Sequence, residues 1–350
     1  MAEYISFQPS DYFNTTLYAG DSDAAGHAIT GVGFQPDLVW IKARNEAQNH
    51  ALNDSARGVL KLIESDTTAI EDTASTGLSA FGADGFTVKN MGQINATGNN
   101  YVSWNWKAGT TSGITTNGST TITPTAYSFN QTAGISILKF TGNYTNGAKL
   151  AHGLGVAPEM VFFKTLENVS TWGGYNKTIT ATDYIKLDSS DAATAYALAF
   201  AETEPDAVNI TLGSWEAVNG NVGTTGMVAY AFASKKGFSK IGSYAGNANA
   251  DGPFIYTGFR PAFILIKRYT GVDDWIIFDS KREGYNIDND ELYPNTTGAE
   301  GTADWIDILS NGFKPRTTHD TVNKSGHSYI YMAFAEFPIV SSNDVPTVAR

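Results

Sequence analysis

Three stretches of the chain share one order of apolar and polar positions. "GFQPDLVWIK" (33–42), "GVAPEMVFFK" (155–164) and "GFRPAFILIK" (258–267) each run from a glycine through a proline to four consecutive apolar residues and stop at a lysine. The quartets "LVWI", "MVFF" and "FILI" do not alternate, which predicts strands covered on both faces, as in the centre of a sandwich. Lys42, Lys164 and Lys267 are expected to carry the chain back to water. A later strand in each stretch does alternate. Val102, Trp104 and Trp106 point one way, as do Val228, Tyr230, Phe232 and Ile330, Met332, Phe334. Each such side chain stabilises by roughly 1.5–3 kcal/mol when buried, so these trios are the predicted cores.

The spacing extends the pattern. Strands ending in aromatic-x-Gly, "LYAG", "KFTG" and "SYAG", place Gly20, Gly142 and Gly246 thirteen, thirteen and twelve residues before Gly33, Gly155 and Gly258. Those landmark glycines are read as corners needing φ > 0. Twenty-one residues beyond them stand Asp54, Asn176 and Asp279, and four residues before those stand His50, Trp172 and Trp275. An Asn-containing turn then precedes the alternating strand, from Asn95, Asn219 and Asn323, with Gly98 and Gly326 expected in left-handed backbone. Five landmarks in one order predict an internal triplication.

The expected fold is all-β: three homologous antiparallel β-sandwich or jelly-roll-like units of about 100 residues each. They span 1–107, 134–236 and 237–337, with a Thr/Ser/Gly-rich connector at 108–133 and a C-terminal tail at 338–350. Separate sandwiches and three units about a pseudo-threefold axis both fit. "SKKGFSK" is too short for a floppy linker, so units two and three should abut, whereas the polar connector should leave unit one more independently placed.

Composition narrows the function classes. Charged residues make up 17% of the 350 and the formal charge is −12, which argues against nucleic acid and anionic membranes as partners. With no cysteine, neither a disulfide nor a thiolate site can form. "MAEYISFQPSDYF" has no basic n-region or apolar h-region of a signal peptide, and no run of about 18 apolar residues is present for membrane insertion.

"TLYAGDSDAAGHAITGVGFQPDLVWIKAR", "DGFTVKNMGQINATGNNYVSWNWKAG", "FSKIGSYAGNANADGPFIYTGFRPAFILIKR", "SNGFKPRTTHDTVNKSGHSYIYMAFAE" and the ending "PTVAR" together cover most of the chain. They resemble a repeat domain of unknown function found in virion proteins of tailed, often marine, bacteriophages, many of tail-fibre type. The resemblance implies a location on the phage particle surface after assembly in the host cytoplasm. It also implies several copies per particle, with other virion proteins and a host surface glycan or receptor as partners. These are scaffold motifs and imply no mechanism. Without a heptad or collagen-like stem, a compact knob or a surface-lying subunit is expected rather than a long fibre.

Candidate sites follow. "DSAR" and "DSKR" place Asp54 with Arg57 and Asp279 with Arg282, read as carboxylate–guanidinium pairs that fix a corner, with a sugar or ion grip as the sharper alternative. Trp172, at a repeated position, reads first as core, yet its ring is a candidate ligand surface. Tyr175, Tyr285, Tyr293 and Trp305 lie in segments that differ between the units, where recognition usually resides. The acidic stretch "NIDNDELYPN" (286–295) and "DSDAAGH" (21–27) lack the full spacing of a calcium loop and are read as solvated. No His-x-x-x-His zinc spacing, Gly-x-Ser-x-Gly elbow or phosphate loop is present, so no catalytic residue, metal or cofactor is assigned. The expected function is host recognition without catalysis. A capsid decoration or tail-assembly role is the alternative, and a glycan depolymerase, needing only two carboxylates about 5–9.5 Å apart, ranks third.

Overall fold

The computed structural model describes residues 8–221, 225–282, 286 and 290–335. Strand accounts for 41% and helix for 6%, so the chain is predominantly β, with several antiparallel sheets, none of them closed. The first large sheet orders its strands Phe13–Ala19, Asn100–Trp106, Leu38–Ala43, Ala51–Asp54. The second runs Ala126–Asn130, Ile135–Gly142, Thr225–Phe232, Met160–Thr165, Gly173–Asn176, and the third Ser239–Ala245, Ser328–Ala335, Pro261–Arg268, Trp275–Asp279. In every large sheet the alternating strand, late in sequence, sits beside the strand carrying the apolar quartet.

Both faces of the quartet strands are covered, as their pattern predicts. On the outer face, Val39 and Ile41 pack with Ile29, Leu78 and Phe86 beneath a small three-stranded sheet. Val161 and Phe163 pack likewise with Leu150, Ile210 and Leu212, and Ile264 and Ile266 with Ile255, Ile308 and Phe313. Gly33, Gly155 and Gly258 have φ of 88°, 70° and 89°, so those corners do require the left-handed region. Gly98 and Gly326 are there too, at 88° and 76°.

The inner faces meet each other. Val102, Trp104, Trp106, Val228, Tyr230, Phe232, Ile330, Met332 and Phe334 all enter one buried cluster. At its centre the rings of Trp106, Phe232 and Phe334 form a triangle with centroids 6.4, 5.6 and 6.0 Å apart. Phe13 and Phe263 pack against Trp106 at 5.1 and 5.5 Å. The first sheet is therefore not independently placed. A polar connector permits freedom, but three aromatic inner faces can leave water only by packing together.

The connector itself is partly strand. Ala126–Asn130 pairs with Ile135–Gly142 as an edge of the second sheet, and Ile122 is buried and bridged to Leu150. On the other side of that strand Phe129 bridges to Thr110, their backbone N–H and C=O groups exchanging hydrogen bonds of 3.0 Å, so the connector covers its own edge. Trp106→Ala should cost about 3–5 kcal/mol in urea unfolding, the large end of core truncations, because the ring contacts all three sheets. A loss under about 1 kcal/mol would contradict the shared core.

Candidate functional site

The lysines that end the quartet strands do not reach water; Lys42, Lys164 and Lys267 are all 0% exposed. Each strand ends where a neighbouring part of the chain crosses it, and the ammonium is held by carbonyls from both sides. Lys164 Nζ donates to Ser170 O at 2.5 Å and to Thr68 O at 3.0 Å. Lys267 Nζ donates to Asp273 O at 2.5 Å and Ser190 O at 3.0 Å. Lys42 Nζ donates to Ala43 O at 3.0 Å, Glu46 O at 3.4 Å and Thr297 O at 3.2 Å. A buried ammonium is tolerable only when its donors are used in this way. Burial still pushes all three down to about 8.

The crossing segments make further bonds at the same places. Glu71, Ala193 and Glu300 donate their backbone N–H to Leu166 O, Tyr269 O and Arg44 O at 2.9, 2.9 and 2.7 Å. Trp172 Nε1 donates to Glu64 O at 2.8 Å and Trp275 Nε1 to Lys186 O at 2.7 Å. His50 lies 3.1 Å from Tyr293 O through Nε2. Because Trp40 Nε1 donates to His50 Nδ1 at 3.0 Å, the imidazole proton belongs on Nε2 and points at that carbonyl. Burial, then the charge on Lys42, hold His50 well below its ordinary range, so the ring is neutral. Segments 64–71, 186–193 and 293–300 are thus arms: the first lies on the second sheet, the second on the third, the third on the first.

The two corner pairs fasten sheets rather than facing solvent. Arg57 Nε donates to Asp54 Oδ2 at 2.5 Å and Arg282 Nε to Asp279 Oδ2 at 2.6 Å, with every side chain 0% exposed. Each carboxylate takes another donor from a different sheet: Tyr230 Oη reaches Asp54 at 2.7 Å, and Trp104 Nε1 reaches Asp279 at 3.0 Å. The second sheet has Asn176 and Ile179 at these positions, and Ile179 joins the shared core. Met332, which occupies the Trp104 and Tyr230 position in the third sheet, carries no N–H or O–H to donate. Ion pair and donors are thus absent together, so no buried charge is left over.

The remaining sequence-predicted residues do not form one site. Trp172 and Tyr175 are 0% and 2% exposed, so neither ring is available to a ligand. Tyr175 donates its hydroxyl to the Glu204 carboxylate. Tyr293 is half-buried against the outer core of the third sheet. Trp305 is half-buried and stacks on His319 at 4.0 Å. Tyr285 lies outside the described residues, as do Asp288 and Asn289 of the acidic stretch. Among the described residues, no group of three or more His, Cys, Asp or Glu could hold a metal ion, and no helix is long and apolar enough to cross a membrane.

Sequence reasoning missed the role of Asn95, Asn219 and Asn323, although their spacing marks them. Each ends a one-turn helix, is 0% exposed, and accepts a backbone N–H just beyond the strand that carries the aromatic-x-Gly motif. The donors are Asp21, Asn143 and Asn247, at 3.1, 3.1 and 2.9 Å.

With this geometry in hand, the chain is identified as a member of the family described as a domain of unknown function, DUF7483, which matches residues 8–338 as a single domain. That match spans all three large sheets. No curated protein and no solved structure matches the chain.

Two measurements follow from the buried charges. A lysine that titrates near 8 when folded and near 10.5 when unfolded binds fewer protons in the folded chain between those values. Stability should therefore rise from pH 8 to about 10 in urea melts. Above about 10 it should fall, because burial raises Tyr230 and Tyr175 and only the unfolded chain ionises there. Lys164→Met should remove about a third of the rise, and an unchanged slope would count against the buried ammonium. Separately, Arg57→Ile should cost about 3–5 kcal/mol by leaving Asp54 charged and buried. Adding Asp54→Asn, which reproduces the Asn176/Ile179 pair, should recover most of it; no recovery would contradict the charge argument.

Proposed function

We propose that this chain is a non-catalytic surface component of a tailed-bacteriophage particle that attaches to the host envelope, with glycan as the ligand class. We further infer that it is three copies of one antiparallel β-module arranged about a pseudo-threefold axis. The observation that carries the reading is the recurring clasp, in which Lys42, Lys164 and Lys267 hold arms passed from third to first, first to second and second to third. Such a chain is a rigid hub with three comparable rims, suited to a threefold or sixfold position in a particle. Several copies per particle would turn weak contacts at the rims into firm attachment. The resemblance of the motifs to those of phage virion proteins supports the location.

A capsid decoration or tail-assembly role is the second reading. It is favoured by the burial of Trp172 and Tyr175 and by the use of the variable segments as internal arms. Gold-labelled antibody on intact particles separates the two. Label confined to the tail tip is expected; label spread over the capsid shell would establish the decoration reading, and none on the particle would overturn both.

A further inference from the structure

Beside each arm runs a two-stranded ribbon: Lys61–Leu62 with Asp72–Thr73, Asp183–Tyr184 with Thr194–Ala195, and Asp290–Glu291 with Gly301–Thr302. The frame recurs, but the side chains do not. Only the second ribbon carries an aromatic residue, and its pairing decides what the outer face presents. Tyr184 lies opposite Thr194, and Tyr196 N–H donates to Thr182 O at 3.0 Å, so Thr182, Tyr184, Thr194 and Tyr196 share one face. Trp215 completes it, 4.4 Å from the Tyr184 ring and 6.0 Å from the Tyr196 ring, the latter at 86°.

This cluster sits at the rim of the second sheet's outer core, against which Tyr184 and Trp215 pack. Tyr196 is 37% and the adjoining Leu198 40% exposed, while Tyr184 and Trp215 are half-buried. The other two ribbons pair without aromatic rings, so the ribbon frame itself does not demand them, and the Tyr196 edge is left to solvent. Three rings at angles to one another offer apolar faces at low entropy cost, and the phenol hydroxyls can donate and accept hydrogen bonds beside them, while the hydroxyls of Thr182 and Thr194 already bond to Thr180 Oγ1 and Ala192 O. Charge selects among ligands. The five residues on this face include no carboxylate, ammonium or guanidinium, Asp183 points to the opposite side, and Lys186, two residues beyond Tyr184, is paired with Asp191 at 2.9 Å. A formal charge of −12 further opposes anionic polymers. The ligand chemistry that matches is a neutral polyhydroxylated ring with one apolar face.

We propose that Tyr184, Tyr196 and Trp215 form a subsite for hexose units of a neutral glycan, a proposal that rests on the glycan-attachment reading above. The test titrates the full chain with maltohexaose, laminarihexaose, cellohexaose and hexa-N-acetylchitohexaose, followed by calorimetry and tryptophan fluorescence. Tyr196→Ala is the variant, and Tyr256→Ala, at another exposed aromatic, is the control; both sites are exposed, and circular dichroism checks their folding. Binding of at least one hexaose, weakened about tenfold or more by Tyr196→Ala and unchanged by Tyr256→Ala, is the expected result. Binding that survives Tyr196→Ala would overturn this subsite and leave glycan attachment standing. Failure of the unaltered chain to bind any of the four would overturn both.

Discussion

A lysine at the end of a buried strand must find acceptors, and in this chain it finds them on another part of the fold. That requirement organises the molecule. Lys42, Lys164 and Lys267 are enclosed where one sheet's arm crosses the next, and the arm's carbonyl completes the ammonium's hydrogen bonds. Take the arm away and a charge is left in a site water reaches poorly, at a cost of several kcal/mol. Each sheet thus needs its neighbour, and the ring of needs closes on itself. The aromatic triangle of Trp106, Phe232 and Phe334 adds undirected cohesion, while the lysines and the His50, Trp172 and Trp275 bonds supply direction and register.

The three junctions share a further contact. At the same place beside each crossing ring, Asp66, Asp188 and Asn295 accept the backbone N–H of His50, Trp172 and Trp275. The junction of third with first is the most heavily charged: Glu300 meets Arg44 at 2.7 Å and Arg282 at 2.9 Å, and Arg44 also approaches Asp290 at 3.4 Å. It is also the junction that joins the most distant parts of the chain, where no short connector helps. Were the chain to attach to a glycan as proposed, a fold held this way would lose little freedom on binding, and side chains already in place at its rim would make the contacts.

Much of this was legible beforehand. Unbroken quartets announced strands covered on both faces, alternating trios announced the inner face, and the glycine spacing announced left-handed corners. The lysines were misread because a charged residue after an apolar run usually marks an exit to solvent, and nothing local reveals that a carbonyl 96 residues away in sequence waits there. For the same reason nothing local shows that the variable segments 64–71, 186–193 and 293–300 also cross onto a neighbouring sheet. Trp172 stands four residues before Asn176, as His50 and Trp275 stand before Asp54 and Asp279, the one signal that its ring was structural. Tyr184, Tyr196 and Trp215 escaped notice because they are scattered in sequence and gathered only by the ribbon pairing.

The most direct test of the interlocked ring is native-state hydrogen exchange at the backbone amides of Glu71, Ala193 and Glu300, which donate across the three junctions. If the arms are structural closures, these amides should exchange only through global unfolding, with the same free energy as amides in the central strands. Exchange at a markedly lower free energy, with the sheets still protected, would mean that the arms open on their own and that the sheets do not depend on them.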